Sequence, residues 1–353
     1  MYNKNNLFQF ATSELSQDAM ICWICNNYNF QFDNKNLFEL SEKVIKYFLG
    51  KPNLNIDRDV KIYRQFKNID VLLIINKKYA IIIEDKTYTT EHNNQFERYK
   101  KALLELTKDE KEKLGIDKID TITTVYLKKG FHYPYDEEVK SDLKITGKEW
   151  YDLLSDYKNC SEILDDYLIK LKEDLNYYSY IEEMYKNEEI EKVLSTHYGQ
   201  YLLIEDIILD LFDDFNNFNH GTSYGRPWSN YDFYSIKYKT EEFGKCNLFF
   251  RIDKKKDYYY VSVRQYDWSH DKKELKKLEE KREMFYILRD LFKQSCENIN
   301  EKIYILGGNN GNYKESEIGF FKIGNEEKSI NLKEIPKRVS KFLKNFINEL
   351  EKI

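Results

Sequence analysis

The residues best able to do chemistry are Asp70 and the tripeptide Glu84-Asp85-Lys86. They lie at the outer ends of two apolar runs that are close together in the sequence. The runs, 69–75 and 79–85, are rich in β-branched residues and flank a short polar segment. Runs of this length and composition predict two antiparallel strands joined by a tight turn. Counting outward from the turn places Asp70 directly opposite Glu84.

Side chains alternate between the two faces of a strand, so Glu84 and Lys86 point to one face and Asp85 points to the other. Residues opposite each other have Cβ atoms about 4.5–5.5 Å apart, and two like charges held there are destabilising unless a positive charge compensates them. A divalent cation would do so, and carboxylate oxygens suit Mg²⁺ or Mn²⁺. The ordinary alternative is that these charges only mark the exposed ends of strands.

The apolar run 80–83 that leads directly into Glu84 favours a site over this alternative. A strand buried on both faces leaves a charge at its exit in need of a partner. Gln95 and Tyr99 follow, four residues apart on one face of a helix predicted over 93–106. Alone this pair is typical of a helix surface, but so soon after Lys86 it extends the pattern formed by Asp70 and Glu84-Asp85-Lys86.

Taken together, Asp70, the hairpin, Glu84-Asp85-Lys86 and the Gln95/Tyr99 pair resemble the PD-(D/E)XK nuclease superfamily, in a bacterial branch with a Q-x-x-x-Y motif. The resemblance covers about residues 10–155. Two positions depart from the motif: Ile69 stands where Pro is common, and Asp85 stands where an apolar residue is usual. Neither departure removes a ligand.

The segment 12–23 is similar to the first helix of that branch, in which an acid at the position of Glu14 approaches the metal. Glu14 is equally well explained as a favourable acid in a first helical turn. Cys22 and Cys25 lie in the same predicted helix and have no second pair to complete a zinc site. We therefore expect the five cysteines to be reduced and mostly buried.

The resemblance implies a restriction-endonuclease-like αβββαβ core, which belongs to the α/β (α+β) class and has a mixed central sheet flanked by helices. It implies that Asp70, Glu84 and the backbone carbonyl of Asp85 hold Mg²⁺, for which Mn²⁺ can substitute, with Glu14 as a further candidate ligand. Lys86 would orient water or stabilise developing charge.

By the same resemblance, Gln95 and Tyr99 would position phosphate, Lys86 or the attacking water. The function implied is hydrolysis of phosphodiester bonds in nucleic acid, DNA more than RNA, in restriction or anti-phage defence. The alternative is a catalytically idle module that binds nucleic acid or another ligand on the same fold.

Composition sets the broad class. The chain has 353 residues, 41% of them hydrophobic, and a net charge of −5, which argues against sequence-blind coating of nucleic acid. No stretch approaches the ~20 apolar residues that span a bilayer, and the start lacks the apolar segment of a signal peptide. We expect a cytoplasmic protein without a membrane partner. A homodimer is among the assemblies that stay open.

Three regions are expected along the chain: a nuclease core over 1–155, a helical connector over 156–219, and a second α+β domain over 220–353 that selects substrate or senses a trigger. Within the last, 221–228 is predicted to be a loop, and strands, a long helix and a closing helix follow it. The remaining candidates for substrate contact are His92, Arg98, Arg226 and Arg264. The alternative for Arg264 and its Tyr neighbours is a half-buried core face.

Overall fold

The structure is a computed structural model that describes residues 6–11, 13–31, 33–57, 60–87, 94–116, 118–212, 217–237, 245–267, 275–301, 304–308, 315–324 and 326–353. The chain is a mixed α/β protein that divides into two compact units, Met1–Tyr178 and Ser179–Ile353. Each unit is built around its own β-sheet. Among the described residues, no helix is long and apolar enough to cross a membrane.

The N-terminal unit contains a five-stranded sheet in the order β1-β2-β3-β4-β5. Its elements are α1 (Glu14–Asn26), α2 (Lys35–Leu49), β1 (Val60–Phe66), β2 (Ile69–Ile75), β3 (Tyr79–Lys86), α3 (Gln95–Leu104), α4 (Lys108–Leu114), β4 (Thr121–Lys128), β5 (Leu143–Thr146), α5 (Gly147–Ser155) and the first part of α6 (Glu162–Lys186). Strands β1 to β3 are antiparallel, and β4 and β5 continue the sheet in parallel with β3. The sheet is therefore mixed, as predicted.

The predicted hairpin is confirmed together with its register. Strands β2 and β3 pair Ile75 with Tyr79 at the turn and Val71 with Ile83 near the outer end. The next pair outward is Asp70 and Glu84. The register follows from the alternation of side chains, because a slip of one residue would exchange the buried and exposed sets of both strands.

Both faces of the β2–β3 hairpin are covered, which explains its continuous apolar sequence. On one face, Leu73 and Ile81 pack with residues of α1, α2, α5 and α6 such as Phe48. On the other, Ile82 packs with residues of α3 such as Phe96. The charged residues at the outer end of the hairpin therefore lie between α1 on one side and α3 on the other.

A buried hydrogen-bond chain links three helices of this unit. Trp150 Nε1 donates to the hydroxyl of Tyr167 at 2.8 Å, and that hydroxyl donates to Gln17 Oε1 at 2.8 Å. We expect Tyr167→Phe to lower the free energy of unfolding by about 1–3 kcal/mol, because it leaves two buried polar groups without partners. Urea unfolding measures this effect. Tyr47→Phe, at an exposed position, is the control, and an equal loss in both variants would contradict the expectation.

The C-terminal unit contains a six-stranded antiparallel sheet in the order β10-β11-β9-β8-β7-β6. Its elements are the end of α6, α7 (Ile190–Leu194), α8 (His197–Ile208), β6 (Phe218–Ser223), β7 (Arg226–Lys237), β8 (Lys245–Lys255), β9 (Tyr258–Asp267), α9 (Leu275–Asn298), β10 (Ile305–Leu306), β11 (Glu315–Ile323) and α10 (Ile335–Leu350). One face of the sheet packs on helices, with Phe321 against Phe292 of α9 and Phe342 of α10. Alternation along each strand places polar and aromatic residues on the opposite face.

The prediction of a loop over 221–228 is wrong. Residues of this segment form the end of β6 and the start of β7, joined by a tight turn at Tyr224 and Gly225. Both turn residues have positive φ, 50° and 73°, which is the backbone that matches the twist of a two-residue hairpin. The region predicted as a connector, 156–219, contains α6, α7 and α8, and the boundary between the two units falls inside α6.

Candidate active site

Asp70, Glu84 and Lys86 meet at the outer end of the β2–β3 hairpin. The ammonium of Lys86 donates a hydrogen bond to Glu84 Oε1, and its Nζ lies 3.8 Å from Asp70 Oδ2. Asp70 Oδ2 also accepts the backbone N–H of Asp85 at 3.1 Å. The two carboxylates and the ammonium therefore form one cluster on one face of the sheet.

Helix α3 brings Gln95 and Tyr99 to the same cluster. Gln95 Nε2 donates to Glu84 Oε1 at 2.8 Å and lies 3.0 Å from the Tyr99 hydroxyl. Two donors thus converge on Oε1 of Glu84. Its other oxygen, Oε2, is buried and has no hydrogen-bond partner among the described residues. A buried carboxylate oxygen without a donor is destabilising unless a ligand or solvent supplies a partner.

The electrostatics show an excess of negative charge in the cluster. Burial and the charge of Asp70 raise the pKa of Glu84 to about 7, although Lys86 and Gln95 oppose the shift. The pKa of Lys86 is raised, because the pull of Glu84 and Asp70 outweighs the effect of burial. Burial and Glu84 raise the pKa of Tyr99 to about 12. One cation, Lys86, does not balance two carboxylates in this environment.

A second group of acids lies towards α1. Glu14 Oε1 accepts the backbone N–H of Thr87 at 3.0 Å, so the predicted proximity of Glu14 to the strand ends is present. Gln65 bridges the two groups, because its Nε2 lies 3.2 Å from Asp18 Oδ2 and 3.1 Å from Asp70 Oδ1. Burial and Asp70 raise the pKa of Asp18 to about 6.

Asp85 belongs to this second group. Its carboxyl is buried, and neither oxygen has a hydrogen-bond partner among the described residues. Burial and the charge of Asp18 raise the pKa of Asp85 well above its usual value. Asp18 was visible in the sequence as the residue one helical turn after Glu14. No sequence signal identified Gln65.

The remaining candidates for substrate contact lie in different parts of the chain. Arg98 is exposed on α3, and His92 lies outside the described residues. Arg226 and Arg264 belong to the C-terminal unit. Arg226 is exposed and donates to the carbonyl of Lys254 at 3.5 Å, whereas the guanidinium of Arg264 is engaged by carboxylates of β11 and by the Tyr260 hydroxyl.

Within the described part of the chain, no group of three or more His, Cys, Asp and Glu side chains is placed to hold a metal ion. The cysteines are free thiols; Cys25 is buried and Cys22 is half-buried. The donors available at the hairpin end are all oxygens: Asp70, Glu84 and the backbone carbonyl of Asp85. Such donors suit a hard cation that keeps water or phosphate in its other positions.

Comparison of the chain with protein-family models, curated proteins and solved structures yields no match.

Proposed function

We propose that the N-terminal unit is a metal-dependent nuclease of the PD-(D/E)XK type, which hydrolyses phosphodiester bonds of nucleic acid, most of all DNA. The observation that carries the proposal is the convergence of Asp70, Glu84 and Lys86 with Gln95 and Tyr99 of α3. Five residues chosen for their types and spacing lie within one network of hydrogen bonds and ion pairs. The fold supports it, because an antiparallel hairpin followed by a parallel β4 agrees with a restriction-endonuclease-like core.

The residues at the hairpin end fit a divalent cation in three respects. One buried oxygen of Glu84 has no partner among the described residues, and Asp70 and Glu84 share the ammonium of Lys86. Burial together with Asp70 raises the pKa of Glu84. Asp70, Glu84 and the backbone carbonyl of Asp85 would hold Mg²⁺, or Mn²⁺ in its place, with Glu14 as a further candidate. When bound, the cation polarises the scissile phosphate and lowers the pKa of coordinated water.

Among the side chains of the cluster, Lys86 has the most direct role in the proposed reaction. Its ammonium lies between the two carboxylates, where it orients a water molecule through one of its N–H groups or stabilises charge that develops on the phosphate. Gln95 fixes the carboxylate of Glu84 and the hydroxyl of Tyr99 in one arrangement. That network limits the rotation of Glu84 and so preorganises the site before substrate binds. The expected products carry a 5′-phosphate and a 3′-hydroxyl.

Such an activity suits a restriction or anti-phage defence protein, with the C-terminal unit selecting the substrate or sensing a trigger. The alternative is a catalytically idle module that binds nucleic acid or another ligand without cleaving it. Both share the same fold, so only an assay of turnover distinguishes them.

The test is a substrate panel. The purified chain is incubated with linear and circular duplex DNA, single-stranded DNA and RNA, in Mg²⁺, in Mn²⁺ and with a chelator. We expect cleavage of at least one DNA substrate with either metal, none with the chelator, and product ends that can be ligated without added kinase. Cleavage that persists in the chelator, or no cleavage of any substrate, would contradict the proposal.

A further inference from the structure

The sheet face of the C-terminal unit that carries polar and aromatic residues contains a cavity of about 310 Å³. Strands β6, β7, β8, β9 and β11 all contribute to its walls. Small-molecule sites in proteins are roughly 300–1,000 Å³, so this volume is near the small end of that range. The cavity is large enough for a single flat ring.

Aromatic side chains form the apolar part of the wall. These are Trp228 of β7, Phe249 of β8 and Tyr266 of β9. The guanidinium of Arg251 lies over the ring of Trp228, with its carbon 4.6 Å from the ring centre. A wall of rings and a guanidinium plane favours a planar ligand that stacks, as unpaired bases do on such side chains.

The polar part of the wall contains a carboxylate without a counter-ion. Asp232 Oδ1 accepts from Asn230 Nδ2 at 2.9 Å, and Asp232 forms no ion pair with any cation among the described residues. Burial raises its pKa, which is the sign of a carboxylate short of donors. A ligand that brings N–H groups to Asp232 would satisfy this need.

Anions are poorly suited to the cavity. Its charged residues are Asp232, Glu315 and Arg251, and Arg251 is already paired with Asp253 at 3.0 Å and with Glu315 at 3.4 Å. The charge of the cavity is therefore negative, so a phosphate group inside it would be repelled and a ligand that brings N–H donors is favoured.

The cavity also offers a donor of its own. Asn247 lies in the wall and accepts from Ser235 at Oδ1, so its amide nitrogen is oriented away from that contact. A ring that carries an acceptor next to an amino group would use the Asn247 amide and Asp232 together.

We propose that this cavity binds an unpaired nucleobase with an exocyclic amino group, adenine, cytosine or guanine, whose N–H groups donate to Asp232. Thymine and uracil lack that amino group and are bound more weakly. The inference deepens the proposed function, since it assigns the C-terminal unit a part in recognising single-stranded or flipped-out bases. The same chemistry would hold a free nucleoside.

The test uses nucleosides, which contain no phosphodiester bond and so report on the cavity independently of cleavage. Binding of adenosine, cytidine, guanosine and uridine to the full chain is measured by calorimetry and by tryptophan fluorescence. We expect measurable binding of at least one amino-bearing nucleoside and about 10- to 100-fold weaker binding of uridine, because uracil has no amino group and its N3–H lies between two carbonyl oxygens that Asp232 repels.

Asp232→Asn is the test variant, since an amide both donates and accepts and so removes the preference for amino groups. Lys322→Gln is the matched control, because Lys322 lies on the same sheet but does not line the cavity, and it should bind as the wild type does. Thermal melting monitored by circular dichroism confirms that both variants are folded. Retained discrimination in folded Asp232→Asn would overturn the proposal.

A second arm separates the two sources of the base. Oligonucleotides of deoxycytidine and of thymidine are titrated into the Lys86→Ala chain, which cannot degrade them if the proposed mechanism holds. Tighter binding of oligodeoxycytidine than of cytidine identifies a base within a strand, and binding of cytidine alone identifies a free nucleoside. Equal binding of uridine and cytidine would overturn the proposal.

The two proposals can fail separately. Discrimination between cytidine and uridine without cleavage of any substrate would contradict the nuclease and leave the base site in place. Metal-dependent cleavage without discrimination between cytidine and uridine would contradict the base site and leave the nuclease proposal in place.

Discussion

Lys86→Ala is expected to reduce metal-dependent cleavage by at least about 10²- to 10³-fold, the loss typical when one preorganised electrostatic group is removed from a site. In the proposed mechanism Lys86 is, among the described residues, the cation between Asp70 and Glu84, and its ammonium contacts both carboxylates. Alanine cannot orient water or stabilise charge on the phosphate. The rate measured at saturating substrate should therefore fall, rather than only the affinity for substrate.

The substitution also changes the carboxylates that remain. Without the ammonium, the two acids repel each other more strongly, and the pKa of Glu84 should rise further above about 7. Excess Mg²⁺ would compensate this repulsion but could not replace the N–H donors. The activity lost in Lys86→Ala should therefore not return at high Mg²⁺, which separates a role in the reaction from a role in metal affinity.

Lys78→Ala is the matched control. Lys78 lies at the turn of the same hairpin, at the end away from the cluster, and is exposed. It tests whether loss of one lysine from this hairpin affects activity in general. Near-wild-type cleavage by folded Lys86→Ala, or an equal loss in Lys78→Ala, would contradict the mechanism.

Much of the cluster could be predicted because it depends on local rules. The alternation of side chains and the short polar turn fix which residue faces Glu84, and four-residue spacing puts Gln95 and Tyr99 on one helix face. Both rules need only neighbouring residues. The register of β2 and β3 is accordingly as expected. Gln95 lies at the same end of the hairpin, where it contacts Glu84, a partner that was not predicted.

The parts that were missed depend on contacts between distant segments. Gln65 has a left-handed backbone, with φ of 56°, and its side chain bridges Asp18 of α1 and Asp70 of β2. Nothing in the local sequence marks a glutamine for that position. The hairpin turn at Tyr224 and Gly225 was missed for a different and local reason, because its glycine-containing segment also matched a loop.

The C-terminal sheet shows how charge pairing decides between alternatives that a sequence leaves open. The spacing of Arg264 and its tyrosines suited either a phosphate clamp or a packed face. In the structure β11 lies beside β9 and presents Glu315 and Glu317 to Arg264. These acids are about fifty residues away in the sequence, so strand order had to be known before the arginine could be described as paired.

The free energy of unfolding should be higher at about pH 5 than at about pH 8, and Glu84 should contribute on the order of 3 kcal/mol to the difference. The pKa of Glu84 is about 7 in the folded chain, against an ordinary value of 4.5. Between these values the folded state keeps a proton that the unfolded state has released.

The direction of the pH dependence follows from the difference between the pKa values of Glu84 in the folded and the unfolded chain. Each rise in pH within this window favours the unfolded state, so the contribution is fully present below the ordinary pKa and is lost as pH rises through about 7. Asp18, with a pKa of about 6, and Asp85, with a raised pKa, act in the same direction. Urea unfolding at the two pH values measures these contributions together with the opposite ones of His132 and His197, whose pKa values burial lowers.

Glu84→Gln isolates the share of Glu84, since the amide is similar in size and does not titrate. We expect its stability to change less between the two pH values than that of the wild type, by on the order of 3 kcal/mol. Glu105→Gln is the control, because Glu105 is exposed at the end of α3 and should leave the pH dependence unchanged.

Mg²⁺ connects this result to the proposed chemistry. A cation binds the ionised carboxylate and competes with the proton, so added Mg²⁺ should stabilise the wild type more at about pH 8 than at about pH 5. In Glu84→Gln that stabilisation should be largely lost, because one of the two carboxylates that we propose as ligands is absent. If Mg²⁺ stabilised Glu84→Gln as much as the wild type, Glu84 would not be a ligand. The pH dependence without metal would still stand, since it rests only on the burial of Glu84 and the neighbouring charge of Asp70.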